Sequence, residues 1–334
     1  MRLTYSIEEY NDEIREAYLR LLPHQEQYVA RGKLNWKFED QPAAKGLIAI
    51  CRSKEHGIVG LNAFMPSQFR AGANKMVLGY QSMDTIVDPV ARGNGVFTEL
   101  IKAFYRCTEG AFVYGFPNLN SSPGFFGKLG WTSLGSVPML VKPLRTGIVA
   151  KRISSAMPDW PMPNLGCKPG NFRYVERFED DVSEVWSAFA DRHAIDLAVE
   201  RSAQYLNWRM AAHPNQKYSL LSSVDGGGYA ATAVSQKHGG NVGYVMEAFG
   251  EDSILAGLIK SAADNLRLQG ADIIFAWCLP NSPNYAAYKQ AGFFALADWM
   301  RPIKLNFGMR VIDTNQSTLN RKNWYISYLD SDTI

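Results

Sequence analysis

Cysteine is scarce in this sequence. The four present, Cys51, Cys107, Cys167 and Cys278, lie far apart and form no C-x-x-C pair. That spacing argues against a zinc knuckle and a small disulfide framework, so reduced thiols are expected. Histidine is scarcer in pattern than in number, because the five residues never take metal-ligand spacing and no metal is expected. Long apolar runs are missing too: nowhere do 18 apolar residues follow one another, and Glu8 and Glu9 arrive before any apolar stretch. Neither a membrane span nor a signal peptide is expected, and the chain is placed in the cytoplasm with no membrane partner. An excess of one charge is also lacking. Lys+Arg 35 against Asp+Glu 32 gives a formal net charge of +3, too little for the phosphate-neutralising surface that a nucleic acid requires.

What remains is an ordinary globular composition, 46% hydrophobic and 20% charged, over 334 residues. A chain of that length exceeds the size at which one core keeps growing, so two domains are expected. Leu3 to Ile7 reads as a strand and the stretch to about Leu22 as a helix, with Ser6 and Glu9 spaced as a capping box. Lys45 to Arg52 and Gly57 to Met65 predict an antiparallel hairpin across Ser53-Lys54-Glu55-His56, and Lys75 to Val87 a longer strand. Val96, Leu100, Ile101, Phe104 and Tyr105 keep helical spacing over 95–108. A strand over 111–116, a short helix over 123–129 and a closing strand over 137–144 complete the first half. Periodicity then stops and prolines gather at Pro158, Pro161, Pro163 and Pro169. These patterns divide the chain into a domain over 1–144, a linker over 145–171, a second domain over 172–310 and a C-terminal tail over 311–334.

The second half echoes the first. Leu34-Asn35-Trp36-Lys37 returns as Leu206-Asn207-Trp208-Arg209, Pro117-Asn118 as Pro280-Asn281, Gly130-Trp131 as Gly292-Phe293, and Lys142 as Lys304. The order is kept and the offsets drift only by loop insertions, which is the mark of a tandem duplication. The two tryptophans are expected to anchor equivalent segments, and Asp225-Gly226-Gly227-Gly228 to be a hairpin turn.

The stretch Met83-Asp84-Thr85-Ile86-Val87-Asp88-Pro89-Val90-Ala91-Arg92-Gly93-Asn94-Gly95-Val96-Phe97 ends a strand, turns on glycines and starts a helix. Free N–H groups and the macrodipole at a helix N-terminus suit a diphosphate, and glycine lets the backbone approach it. Arg-Gly-Asn-Gly alone also fits an ordinary turn, and the segment is neither a P-loop nor a dinucleotide fingerprint.

Taken with Asn118, Asn120 and Phe125-Phe126-Gly127-Lys128-Leu129-Gly130-Trp131, this stretch resembles the GNAT family of N-acetyltransferases over most of residues 1–144. The resemblance implies an α/β class of fold, a mixed α+β sheet flanked by helices, in tandem GNAT-like copies. It implies acetyl-CoA as co-substrate, held by Ile86, Val87, Arg92, Gly93, Asn94, Gly95, Val96, Phe97 and Thr98 with Asn118, Asn120, Phe125 and Phe126. It also implies a strand over 84–87 that splays to admit the pantetheine arm. The implied reaction is attack of an amine on the thioester, with backbone N–H groups near Ile86 and Val87 on the oxyanion and Asp84 as base. His24, Glu26 and His56 are weaker candidates for the base, each fitting a surface position.

Three departures qualify this. Phe97 replaces a small residue and either crowds the phosphates or turns inward, the second being preferred. Phe126 stands where the family often has a tyrosine that protonates the thiolate. In the second half, Glu247-Ala248-Phe249-Gly250-Glu251-Asp252-Ser253 puts carboxylates at the corresponding turn, so that half is expected not to bind CoA. Tyr288 there is expected to be a packed helix residue. The acceptor expected is a small-molecule amine, and a homo-oligomer is left open. Two alternatives stand: a non-catalytic acyl-CoA-binding module, and an aminoacyl or peptidyl transferase with tandem lobes.

Overall fold

Two units make up the chain, one comprising Met1–Ser136, Ala212–Asn215 and Leu305–Asn323, the other Val137–Ala211, Gln216–Lys304 and Trp324–Ile334. The structure is a computed structural model describing residues 1–22, 32–73, 75–147, 159–237, 239–301, 304–313, 322 and 324–331.

Unit 1 opens with β1 (Leu3–Glu9) and α1 (Asp12–Leu21). The helix starts later than the spacing of Ser6 and Glu9 predicts. Ser6 stays in the strand and bonds Glu8, while Asn11 caps α1 by accepting the N–H of Ile14 at 3.0 Å. An Asx side chain in extended backbone, directly before two acidic residues, is the better cap. Then come α2 (Lys33–Phe38), the hairpin β2 (Leu47–Ser53) and β3 (Gly57–Ala71), and β4 (Met76–Val87). The rest of this stretch is α3 (Val96–Tyr105), β5 (Phe112–Gly115), α4 (Ser122–Lys128) and β6 (Thr132–Ser136). Helix α3 buries Val96, Leu100, Ile101 and Phe104, the stripe its periodicity predicts. Phe104 stacks on Phe64 of β3 at 3.7 Å and meets the edge of Tyr80 of β4 at 5.0 Å, which fixes α3 against the strands that build the site.

Unit 2 takes β7 (Met139–Pro143), β8 (Phe172–Val175), α5 (Asp181–Arg192), β9 (Leu197–Val199) and α6 (Ala203–Leu206). It continues through β10 (Tyr218–Ser223), β11 (Gly228–Lys237), β12 (Gly240–Gly250) and α7 (Asp252–Leu268). It ends in β13 (Ile273–Trp277), α8 (Tyr285–Gln290) and β14 (Phe294–Ala295). The last strand, β15 (Asn306–Val311), belongs to unit 1.

The strand order is β1-β2-β3-β4-β5-β15-β6 in one sheet and β8-β10-β11-β12-β13-β7-β14 in the other. The two orders match strand for strand in sequence logic, with one exchange. The closing strand expected in the first domain, over 137–144, lies between β13 and β14 of the second sheet, and β15 lies between β5 and β6 of the first. The boundaries expected at 144 and 310 are therefore corrected. Apolar alternation reveals that a strand exists, but the choice of neighbours is made by the sheet that completes around it. For the same reason the match of Lys142 to Lys304 is not structural: Lys142 is inside β7, whereas Lys304 precedes β15.

Of the expected linker, 148–158 lies outside the described residues, Pro158 included, and in the described remainder Arg145 and Pro161 form an isolated antiparallel bridge. It is also tied down. Lys142, 3% exposed, donates to the carbonyls of Leu165 and Ala291, each at 2.6 Å. Among the described residues, no helix is long and apolar enough to cross a membrane.

Burial, with Lys260 adding repulsion, pushes the Lys142 ammonium down to about 8. In the unfolded chain it holds its proton to about 10.4, so between these values the unfolded state binds more protons and stability rises with pH. Denaturant titrations from pH 8 to pH 10 should show the wild type gaining about 2 kcal/mol relative to Lys142→Met, which lacks this titration. A pH-independent difference between the two proteins would show that the ammonium is not buried at a cost.

Candidate functional site

In unit 1 the parallel strands β4 and β5 pair only through Gly79↔Phe112, Tyr80↔Val113 and Gln81↔Tyr114. Beyond Gln81, β4 runs on to Val87 paired with β3 alone, so the two parallel strands part over 82–87. Along β3 the register jumps from Ala63↔Met83 to Leu61↔Ile86, which sets both Asp84 and Thr85 opposite Asn62. This is a β-bulge, and Asp84 takes φ +50 to make it. Aspartate is among the few residues other than glycine that adopt this conformation readily. Asn62, fully buried, serves the bulge: its amide donates to Ser82 Oγ at 3.2 Å and to the Ala63 carbonyl at 3.1 Å, and its carbonyl accepts from the Thr85 hydroxyl. Sequence reasoning missed Asn62, although an asparagine inside an apolar strand was the available signal.

The glycine turn follows. Gly93 and Gly95 have φ +82 and +73, and a Cβ built on either would meet nothing within 4 Å. They are therefore required by backbone dihedral and not by crowding. Residues 92–95 are exposed. Among the described residues, the N–H groups of Gly93, Gly95, Val96 and Phe97 have no acceptor, while Thr98 and Glu99 already bond Gly95 O at 3.0 and 3.1 Å. Unmet donors at the start of a ten-residue helix form an anion-binding feature. Exposed Arg92 reaches back to the Val87 carbonyl at 3.4 Å. Phe97 turns inward, edge-on to Phe125 at 5.2 Å and against Gly124, leaving the turn uncrowded.

Asn118 and Asn120 are exposed on the loop before α4, where Asn118 Oδ1 accepts the N–H groups of Asn120 and Ser121, both at 3.0 Å. Phe125 is buried against Trp131 at 4.4 Å. Phe126, half-buried, lies over Gly308 of β15, where a Cβ would come within 2.4 Å of its ring. That neighbour comes from the exchanged strand.

Asp84 is not an isolated carboxylate. Lys37 of α2 donates to its Oδ2 at 2.8 Å, the two side chains being 1% and 9% exposed, and the Tyr18 hydroxyl of α1 stands 3.5 Å from the same oxygen. Lys37 entered the sequence reading only as part of a repeat. His56 is exposed on the β2–β3 turn, and His24 and Glu26 lie outside the described residues. Among the described residues no group of His, Cys, Asp and Glu is placed to hold a metal ion.

Unit 2 has the corresponding parting. β12 and β13 pair from Val242↔Ile273 to Val245↔Ala276 and separate beyond, with a bulge where the register passes from Thr232↔Val245 to Ala231↔Glu247. Its turn differs. Gly250, at φ +150, is packed so tightly that a Cβ would lie 2.5 Å from the Gly227 carbonyl oxygen. Glu251 and Asp252 occupy the start of α7, and Asp252 bonds His193 at 2.8 Å. Tyr288 is fully buried, edge-on to Phe293 at 5.3 Å, as a packed helix residue.

No family profile matches the sequence, and no curated protein matches it. Solved structures do. A probable N-acyltransferase from Enterococcus faecalis aligns at TM-score 0.61 and 11% identity, over 93% of this chain and 73% of that one. A GCN5-related N-acetyltransferase from Anabaena variabilis aligns at 0.62 and 12%, over 92% and 73%. The chain has the N-acetyltransferase fold. Saccharomyces cerevisiae N-myristoyltransferase with bound myristoyl-CoA aligns at 0.58 and 15%, over 92% and 82%. These identities establish the N-acetyltransferase fold and not a shared substrate.

Within that fold the Lys37–Asp84 pair should behave as a buried ion pair. Lys37→Met leaves the carboxylate without its ammonium and should cost about 3–5 kcal/mol in denaturant unfolding, whereas Lys37→Met with Asp84→Asn should recover part of it. Strict additivity of the two substitutions would show that the pair is not coupled.

Proposed function

We propose that the chain is an acyl-CoA-dependent N-acyltransferase in which unit 1 works and unit 2 is a degenerate tandem copy. One observation carries this reading: in a chain of N-acetyltransferase fold, β4 parts from β5 directly before an open glycine turn with unmet N–H donors at the start of α3. The turn would hold the diphosphate of acetyl-CoA, with Arg92 adding charge at its rim. Asn118, Asn120, Phe125 and Phe126 would flank the cofactor from the α4 side, and Thr98 with Val96 and Phe97 would complete the first turn beneath it.

In the proposed reaction a neutral primary amine of a small acceptor attacks the thioester carbonyl carbon, and the C=O electron pair moves onto oxygen. Backbone N–H groups near Ile86 and Val87 stabilise that oxyanion. The attacking nitrogen loses its proton to Asp84, which Lys37 orients; the oxyanion collapses and the C–S bond breaks. Phe126 offers no proton, so CoA departs as a thiolate, which an ordinary thiol pKa of about 8.5 permits. The same phenylalanine favours a second reading, a non-catalytic acyl-CoA-binding module. A cytoplasmic location and the absence of metal, nucleic-acid and membrane partners complete the proposal.

Isothermal titration with acetyl-CoA should give one site per chain, and Gly95→Val, barred from the left-handed region, should weaken binding at least tenfold. Unchanged affinity would remove the turn from the site. Turnover of any small amine, followed by CoA thiol release, separates enzyme from binding module. Asp84→Asn should lower turnover more at pH 7 than near pH 11, where alkylamines with pKa about 10.4 are mostly neutral without a base; equal losses at both would remove Asp84 as the base.

A further inference from the structure

The C-terminal segment over 324–331 belongs to unit 2, and every one of its eight residues is at most 4% exposed. It is held by one isolated parallel bridge and by a polar plug that ends in a 3-10 turn over Tyr328–Asp330. Trp324 bridges Leu197, and the Tyr325 N–H donates to the Leu197 carbonyl at 2.8 Å. The Tyr328 ring stacks on Trp277 of β13, one residue past the last β12–β13 pair, at 4.5 Å and meets the edge of Tyr244, still within the paired part of β12, at 5.2 Å.

The Tyr325 phenol is buried among polar groups. It donates to Glu247 Oε1 at 2.6 Å, accepts from Asn284 Nδ2 at 3.1 Å and stands 3.4 Å from the Ala248 carbonyl. Glu247 and Ala248 follow the β12 bulge, as Asp84 to Ile86 mark the β4 bulge in unit 1. Ser327 Oγ donates to Glu247 Oε2 at 2.8 Å. Fully buried Arg201 joins the pieces, donating to Glu247 Oε2 and Asp330 Oδ2, each at 2.8 Å, while Arg209 donates to the Ser331 carbonyl at 2.5 Å. Two guanidinium groups and two carboxylates are thus buried together. Asp330 Oδ1 has no partner among the described residues, and removing a partner from a buried network of this kind is strongly destabilising.

We propose that residues 324–331 are the resident occupant of the unit 2 cleft, lying where a thioester and an amine would otherwise meet, and that the Arg201–Glu247–Asp330 latch excludes acyl-CoA from it. The duplicated cleft has become a peptide-binding groove for the chain's own tail. Donation of a hydroxyl to Glu247 is the contact an acceptor amine would make with Asp84.

Cys278, 1% exposed with Sγ 3.1 Å from Asn284 Oδ1, reports on this groove from within. Full-length wild type, Tyr328→Ala, Asp330→Asn and the ring-preserving Tyr328→Phe would be alkylated with iodoacetamide and mapped by peptide mass. Cys51, fully buried in unit 1, is the control for global unfolding. Expected is Cys278 labelling at least tenfold faster in Tyr328→Ala and Asp330→Asn, with Cys51 unchanged and Tyr328→Phe like wild type. Millimolar acetyl-CoA should leave Cys278 labelling of the wild type unaltered. Slow Cys278 labelling in both disruptive variants would overturn the proposal, as would a change in wild-type labelling caused by acetyl-CoA. If both disruptive variants unfold, shown by Cys51, the acetyl-CoA arm on wild type decides alone. Failure of unit 1 to bind acetyl-CoA is read separately by titration and leaves the Cys278 comparison intact.

Discussion

Two parallel strands that stop pairing before they end create a problem that both units must solve. Each strand carries backbone donors and acceptors that the ladder no longer satisfies, and a buried orphan costs about as much as a lost hydrogen bond. Nearly everything distinctive in this protein is a response to that parting. In unit 1 the bulge at Asp84 and Thr85 is filled by the Asn62 side chain, and the carboxylate it displays is met by Lys37. In unit 2 the parting is met by the chain itself, through Tyr325, Ser327 and Tyr328.

The contrast between the two turns has the same origin. At Gly93 and Gly95 the backbone is left-handed, exposed and surrounded by open space, so helix α3 begins with donors that only water or an anion can satisfy. At Gly250 the backbone is packed against Gly227 and Gly228, and Glu251 and Asp252 place negative charge at the head of α7. One turn is built to be approached. The other has spent the same helix dipole on its own side chains.

Much of the fold was legible along the chain because its signals are local. The apolar stripe of α3, the β2–β3 hairpin around Ser53 to His56 and the glycine turn before Val96 all follow from spacing and dihedral preference within a few residues. The cap of α1 lies five positions beyond Ser6, since Ser6 and Asn11 both qualify chemically and only β1's pairing with β2 decides between them. Asn62 and Lys37 were passed over for a different reason. Lys37 looks unexceptional in its own segment, Asn62 stands out only as a polar residue within an apolar strand, and each acquires its role by meeting β4 from another element.

By itself, then, the sequence determined the periodic elements, the open turn and the negative charge at its counterpart, because these depend on backbone dihedrals and on charges fixed to neighbouring residues. Tertiary structure alone decided that β7 and β15 exchange sheets, that Asp84 is paired to Lys37, and that the buried stretch Trp324 to Ser331 meets Glu247, Arg201 and Trp277. Strand partners and buried ion pairs are chosen by which surfaces close around them, and residues far apart along the chain carry no local mark of that choice.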